Sequence, residues 1–213
     1  MSKILLLENK RERQKNYHID FRNLKEIDNV LGDDECNGIL KNFLDDNSIF
    51  DKYETIIIHK GIYFENARDK LFQDLKNYSK KKNLVIFSGE NSQVSLRNNV
   101  LEVSAISIYK NIEEYVSEYS KNLANILILG YGKKWEANIL LNILEKINIF
   151  IEENQDDEEF DFDEFEDEVD LLELKKLNIV YATIVPYKNE IRNQEITILR
   201  DRLYTMIEEK SYE

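Results

Sequence analysis

Polar side chains of types that transfer protons or attack as nucleophiles follow two short apolar runs. His59 and Lys60 come directly after the run 55–58, and Ser88 follows the run 84–87. Histidine has an ordinary pKa near neutrality, which suits a general base, a phosphoacceptor or a pH-sensitive contact. A serine hydroxyl beside such a base is a pair used in nucleophilic catalysis. His59 and Ser88 are therefore the candidate catalytic residues of a small phosphate- or nucleotide-binding hydrolase.

The groups that would complete such a hydrolase are missing from the sequence. No carboxylate is placed to orient the His59 imidazole, and no glycine-rich nucleophile turn surrounds Ser88. We therefore predict no catalytic residues and interpret both side chains as structural polar groups or as a contact for a partner.

A glycine- and lysine-containing loop precedes a long apolar stretch and is a candidate anion site. It consists of Gly130, Tyr131, Gly132, Lys133 and Lys134. Helix N-terminal amides together with two lysines would attract an anion. The loop lacks the third glycine of a dinucleotide fingerprint and the Lys-Ser/Thr of a P-loop. The alternative is a tight turn with both lysines in solvent.

The elements that must position these residues follow from the hydrophobic pattern. Between the two apolar runs, apolar residues recur three or four apart, which predicts a helix: Phe64, Ala67, Leu71, Leu75 and Tyr78. A strand-helix-strand unit of this kind makes parallel strands, whose carboxyl ends meet at one edge of the sheet. We therefore expect His59 and Ser88 to be neighbours at this edge.

Further strands and helices extend this unit in both directions. Strands are predicted at 3–7, 100–109, 126–129 and 178–185, and helices at 35–46, 112–123, 135–152 and 190–210. The predicted fold class is α/β, with a mostly parallel sheet over residues 1–122 and a C-terminal α/β extension over 123–213.

The predicted strand termini form an ordered series of polar residues: Glu8-Asn9, His59-Lys60, Ser88-Gly89 and Lys110. This series resembles the receiver domain of bacterial response regulators over residues 1–122, which implies a flavodoxin-like sheet. In that family the first strand ends in acidic residues that hold Mg²⁺ and the third in the phosphorylated aspartate. The fourth ends in Ser or Thr and the fifth in Lys. Glu8, Ser88 and Lys110 match these positions.

The acceptor position departs from the family pattern. His59 or Lys60 stands where the phosphorylated aspartate is expected, and Glu8 offers few of the hard oxygens that Mg²⁺ needs. The resemblance therefore implies an inactive, receiver-like domain, similar to degenerate receivers that accompany bacterial conflict and phage-defence modules.

The net charge of −13 is concentrated in one segment, residues 156–170, which we call the acidic segment. It holds 11 acidic and no basic residues, and the remainder of the chain holds 31 acidic against 29 basic. Nonspecific nucleic-acid binding by the whole surface is therefore disfavoured. Charge repulsion predicts a disordered, solubilising loop. Two alternatives are a docking segment anchored by Phe160, Phe162 and Phe165, and an acidic mimic of nucleic acid.

Metal ligands and targeting signals are sparse. His18, Cys36 and His59 are scattered, so we predict no metal site and no cofactor. A single cysteine and the lack of a membrane-length apolar run predict a cytoplasmic protein with no membrane partner. The sequence leaves the oligomeric state open. The leading interpretation is a non-enzymatic regulatory or protein-interaction module that binds a protein partner, in a bacterial defence system.

Overall fold

The chain divides into two compact units, which we call the first unit (Met1–Lys133) and the second unit (Lys134–Glu213). The computed structural model describes residues 3–62, 68–80, 82–89, 94–97, 100–121, 125–169, 171–177 and 190–212. The division falls after Lys133, later in the chain than the predicted boundary at residue 122.

The first unit is built on a six-stranded sheet, whose strand order β2-β1-β3-β4-β6-β5 is flavodoxin-like. The strands are β1 (Ile4–Glu8), β2 (Ile27–Leu31), β3 (Thr55–His59), β4 (Asn83–Ser88), β5 (Ser95–Arg97) and β6 (Val100–Ser104). All neighbouring strands are parallel except β5 and β6, which are antiparallel. The predicted α/β class with a mostly parallel sheet is confirmed.

The two central strands are apolar on both faces because helices cover both. Every residue of β1 and β3 is buried. On one face, Leu5 and Leu7 belong to a core cluster with buried residues of two helices, α2 (Asp33–Asp45) and α3 (Arg68–Tyr78). On the other face, the Thr55 hydroxyl lies 2.9 Å from the Tyr115 hydroxyl. Tyr115 belongs to α4 (Ala105–Ser120). This two-sided burial explains the unbroken apolar runs.

One predicted strand is too long and another is wrong, because short apolar runs fit helices as well as strands. The predicted strand 100–109 ends at Ser104, where the Ser104 hydroxyl accepts a hydrogen bond of 3.0 Å from the Ser107 amide and starts α4. The predicted strand 126–129 instead leads into a short helix, α5 (Ile128–Tyr131), which packs against α4. The predicted strand 178–185, like Phe64 and Ala67 of the predicted helix, lies outside the described residues.

The other elements of the first unit are short. A helix, α1 (Arg11–Asn16), follows β1 directly, and 3₁₀ turns span Phe21–Asn23 and Asn47–Phe50. The first turn of α2 carries three acidic residues, which suit the positive end of a helix.

Within its described residues, the second unit joins three α-helices, a 3₁₀ helix and a two-stranded antiparallel sheet. Its elements are α6 (Trp135–Glu153), β7 (Glu159–Asp161), α7 (Phe162–Val169), a 3₁₀ helix (Leu171–Leu177), β8 (Glu190–Arg192) and α8 (Asn193–Tyr212). Strands β7 and β8 pair antiparallel, and α6 packs along α8 and against α7. In the described part of the chain, no helix combines the length and apolar character needed to span a membrane.

Candidate functional site

The carboxyl edge of the sheet brings together the polar ends of four strands. Glu8 ends β1, His59 ends β3, Ser88 ends β4 and Ser104 ends β6. Strand register places His59 opposite Phe87 and Ser88 opposite Ser104. The predicted meeting of strand ends is therefore observed. Lys110 does not join them, because it lies on the exposed side of α4.

Glu8 is fully buried and its carboxylate is held by three donors. The Arg13 guanidinium donates to both oxygens, at 3.0 and 2.9 Å. The backbone amide of Lys10 donates to one oxygen over 2.9 Å, and the Tyr109 hydroxyl donates to the other over 2.6 Å. Because α1 begins right after β1, Arg13 folds back over the strand end. The arrangement neutralises a buried charge that would otherwise be costly.

Tyr109 of α4 is the third of the donors around Glu8, and aromatic contacts hold its ring in place. Its ring stacks on Tyr17 with 4.8 Å between centroids and meets the edge of Phe87 at 6.0 Å. Burial and the neighbouring Glu8 carboxylate raise the pKa of Tyr109 far above its usual value, so the hydroxyl remains a donor. We call Glu8, Arg13, His59 and Tyr109 the edge cluster.

His59 is a buried, neutral imidazole. Only 5% of the residue is exposed, and burial lowers its pKa to about 4. Its Nδ1 accepts a hydrogen bond of 3.1 Å from the Gly61 amide, which puts the ring proton on Nε2. A side-chain carbon at Gly61 would lie 2.6 Å from His59 Cε1, so a glycine is required there.

The catalytic pair of the hydrolase hypothesis is not formed. Nε2 of His59 is buried and has no hydrogen-bond partner among the described residues, so it does not form a hydrogen bond with the Ser88 hydroxyl. Nδ1 is already used by the Gly61 amide. Neither imidazole nitrogen is therefore placed to activate Ser88.

The residues that flank the two strand ends make structural contacts. Asn9 Nδ2 donates to Asp33 Oδ1 over 3.0 Å and to the Gly61 carbonyl over 3.4 Å. The Lys60 amide donates to the Phe87 carbonyl over 2.8 Å, while the Lys60 side chain is exposed. These bonds fix the loops that follow β1 and β3.

The edge does not fit Mg²⁺. A magnesium ion requires several oxygens in near-octahedral geometry. The Glu8 oxygens are occupied by donors, and the Arg13 cation in contact with them would repel a metal. The described residues contain no group of three or more His, Cys, Asp or Glu side chains that could hold a metal ion.

Cys36 lies in the core near the same edge and is chemically quiet. It is fully buried, and its Sγ donates to the Val30 carbonyl at 3.6 Å. Burial, with the nearby Glu8 charge, raises the pKa of the Cys36 thiol to about 12. A thiol that stays protonated is a poor nucleophile.

The glycine-lysine loop faces carboxylates. Gly132 adopts a φ of +80°, which favours glycine. The Lys133 amide donates to Glu114 Oε2 over 2.9 Å, and Lys133 Nζ lies 3.6 Å from Glu118 Oε1. Gly130 ends up inside α5, and Lys134 is the residue before α6. This geometry favours the tight turn over the anion site, because acidic groups already take the loop's donors.

The acidic segment is ordered over residues 156–169, so the predicted disordered loop is wrong there. Asp161 Oδ1 accepts hydrogen bonds from the Asp163 and Glu164 amides at 2.9 and 3.2 Å and starts α7. Phe162 and Phe165 are 2% and 0% exposed. They therefore cannot act as exposed docking anchors.

The buried phenylalanines of the acidic segment hold it against α6. The Phe165 ring meets Phe150 at 5.2 Å and the half-buried Phe160 ring meets it at 5.1 Å, both edge-on. The spacing of Phe162, Phe165 and Val169, three and four apart, is a helical signal that the charge pattern masked.

Sequence reasoning also missed Arg13 and Tyr109. Arg13 lies in a polar stretch without periodicity, and the alternation of 100–109 predicts a strand at Tyr109, which lies on α4.

No protein-family model, curated protein or solved structure matches the chain. We therefore infer function from its residues and their contacts.

Proposed function

We propose that the chain is a non-enzymatic regulatory or protein-interaction module, built on a receiver-like unit that has lost phosphotransfer. One observation carries the proposal: the buried Glu8 carboxylate at the end of β1 is paired with the Arg13 guanidinium and the Tyr109 hydroxyl. A group in this state holds the fold together and is unavailable to a cation.

Phosphotransfer of the receiver type needs a carboxylate acceptor at the end of β3 and a divalent cation beside it. His59 occupies that strand end, and the residue is 5% exposed. Its Nδ1 is engaged by the Gly61 amide and its Nε2 is buried. Neither nitrogen is presented to a phosphodonor, so histidine phosphorylation is not expected either.

The proposed partner is a protein. The first unit resembles degenerate receivers that accompany bacterial conflict and phage-defence modules. We propose that the partner is a larger effector of such a defence system, in the cytoplasm. The buried Cys36 thiol, whose pKa is about 12, is consistent with a chain that does not use thiol chemistry.

Incubation with acetyl phosphate and Mg²⁺, followed by intact-mass spectrometry, tests the loss of phosphotransfer. We expect no phosphorylated species. Stoichiometric addition of one phosphoryl group would overturn the proposal. The variant His59→Asn, run in parallel, shows whether any addition occurs on His59, since asparagine keeps an acceptor for the Gly61 amide and cannot be phosphorylated.

An acidic nucleic-acid mimic is a second candidate, and the order of the acidic segment favours it. The acidic side chains on the exposed side of α7 are held in fixed positions, because Phe162 and Phe165 on its other side are buried. A mimic of this kind binds a basic nucleic-acid-binding protein in a strongly salt-dependent manner. Competition between this chain and duplex DNA for such a protein tests it, and the double variant Asp163→Asn/Asp167→Asn is expected to compete less well.

A further inference from the structure

The second unit carries an exposed apolar face on α6 and α8. Leu141 and Ile149 of α6 and Tyr204 of α8 are each 48% exposed. They border a shallow groove of about 650 Å³, floored by the buried Leu144. We call this the α6–α8 groove. The polar residues that line the groove are two acidic and three amide side chains: Glu145, Glu152, Asn138, Asn142 and Asn148.

This face is separate from the one that builds the core of the second unit. Ile139, Ile143 and Ile147 of α6 are fully buried and hold the helix in the unit. Leu141, Glu145 and Ile149 recur four apart, so they lie on successive turns of one exposed side. An exposed side that alternates apolar and acidic residues is not needed for the unit's own packing and suits a binding groove.

The charge of the chain points to the partner's chemistry. The second unit holds 22 acidic and 9 basic residues, whereas the first unit holds 20 of each. The second unit therefore carries the whole net charge of −13. Within the part of the chain that the structure describes, neither Glu145 nor Glu152 pairs with a cation. The net charge of the unit and the two carboxylates at the groove favour a basic ligand.

We propose that the α6–α8 groove binds a basic amphipathic helix of a partner protein. The apolar side of that helix covers Leu141, Ile149 and Tyr204, and its Lys or Arg side chains pair with Glu145 and Glu152. The inference rests on the proposed interaction function and adds the surface and the partner's chemistry. A second copy of this chain is disfavoured as occupant, because it would bring two acidic faces together.

A synthetic peptide tests the proposal with the full chain. The probe is a fluorescent helical peptide of about 18 residues, with leucines on one face and lysines on the other. We expect saturable binding, measured by fluorescence anisotropy at about 0.15 M salt. A peptide of the same composition in scrambled order is expected to bind about tenfold more weakly, because it has no apolar face. Absence of saturable binding would overturn the proposal.

Surface variants locate the binding site. Leu141→Ser/Ile149→Ser and Glu145→Lys/Glu152→Lys are each expected to weaken peptide binding about tenfold. The matched controls are Ile106→Ser, which removes a 63% exposed apolar residue of the first unit, and Asp167→Lys/Glu168→Lys, which reverses two exposed charges of α7. Both controls are expected to bind like the wild type.

Other outcomes exclude the proposal in distinct ways. An equal loss in the Asp167→Lys/Glu168→Lys control would show general attraction to an acidic surface. A concentration-dependent dimer in sedimentation, abolished by Leu141→Ser, would assign the groove to self-association. Phosphorylation by acetyl phosphate would overturn the proposed inactive first unit and leave these peptide results unchanged, so the two failures are distinguishable.

Discussion

The Tyr109 hydroxyl donates a hydrogen bond of 2.6 Å to the Glu8 carboxylate, across 101 positions of the chain. The bond joins α4 to the end of β1, and both residues are buried. It closes the carboxyl edge of the sheet at the place where open α/β sheets usually bind ligands. The edge cluster is therefore a structural element in a position that other proteins use for chemistry.

The variant Tyr109→Phe tests the value of this bond. It leaves a buried carboxylate oxygen with one donor fewer, which costs about 1–3 kcal/mol of the free energy of unfolding. Urea denaturation measures the loss. Tyr119→Phe is the matched control, because the hydroxyl of the half-buried Tyr119, on the same helix, also meets a glutamate, the exposed Glu54. We expect the control to lose less than about 1 kcal/mol. Equal losses of the free energy of unfolding in the two variants would contradict the conclusion that the buried Tyr109–Glu8 hydrogen bond stabilises the fold.

The variant Arg13→Leu tests the ion pair at the strand end. It leaves Glu8 buried without its cation, and we expect a loss of about 3–5 kcal/mol. Adding Glu8→Gln to the same chain removes the unpaired charge and keeps an acceptor for Tyr109, so we expect partial recovery of stability. Denaturation of both variants provides the measurement. A double variant less stable than Arg13→Leu alone would show that Glu8 has another role.

His59 makes the stability of the fold dependent on pH. Burial lowers its pKa from 6.5 to about 4, while the nearby Glu8 and Asp33 raise it and Arg13 and Lys10 lower it further. Between those two pH values the unfolded chain binds a proton that the folded chain does not, so stability decreases as the pH falls through this window. The decrease from this one group is up to about 1.4 kcal/mol per pH unit.

Urea denaturation at several pH values between 4 and 6.5 measures this effect of His59. The variant His59→Asn is expected to show a shallower decrease than the wild type, and His18→Asn, which keeps His59, is expected to show the full decrease. Identical pH profiles for the wild type and His59→Asn would mean that the imidazole is not buried in the folded chain.

Phe165 tests whether the acidic segment is folded. The side chain is fully buried against Phe150, so Phe165→Ala is expected to cost about 3–5 kcal/mol and to expose residues 156–169 to proteolysis. Phe165→Leu fills most of the same volume and should lose less. Limited proteolysis with an acid-specific protease provides the readout. Cleavage of the wild type as rapid as that of Phe165→Ala would indicate a disordered segment.

The central strands were predictable from the sequence because burial on both faces leaves only apolar residues, as in the runs of β1 and β3. The start of α4 was not, since the alternation in 100–109 fits a strand until the Ser104 cap is known. Because α4 begins at Ala105, Lys110 lies on this helix and not at a strand end, and Tyr109 of the same helix reaches Glu8. Contacts this distant in sequence leave no local signal.

In the acidic segment a local signal for a helix is present in the sequence, but the high charge density hides it. Its charge density predicts disorder, yet three apolar residues at helical spacing, Phe162, Phe165 and Val169, bury one side of α7 while the acids remain in solvent. The burial of a few large side chains outweighed the repulsion between exposed charges, which water and salt screen.

Titration with Mn²⁺, followed by paramagnetic broadening of backbone amide resonances, most directly tests whether the carboxyl edge of the sheet binds no divalent cation. Because Arg13 and Tyr109 occupy the Glu8 carboxylate, we predict no selective broadening at Glu8, Asn9, His59 or Lys60. Weak, non-saturating broadening is expected instead along the acidic segment, where exposed carboxylates attract cations. Saturable broadening centred on Glu8 and His59 would contradict the account, because it would show a divalent-cation site at the carboxyl ends of β1 and β3.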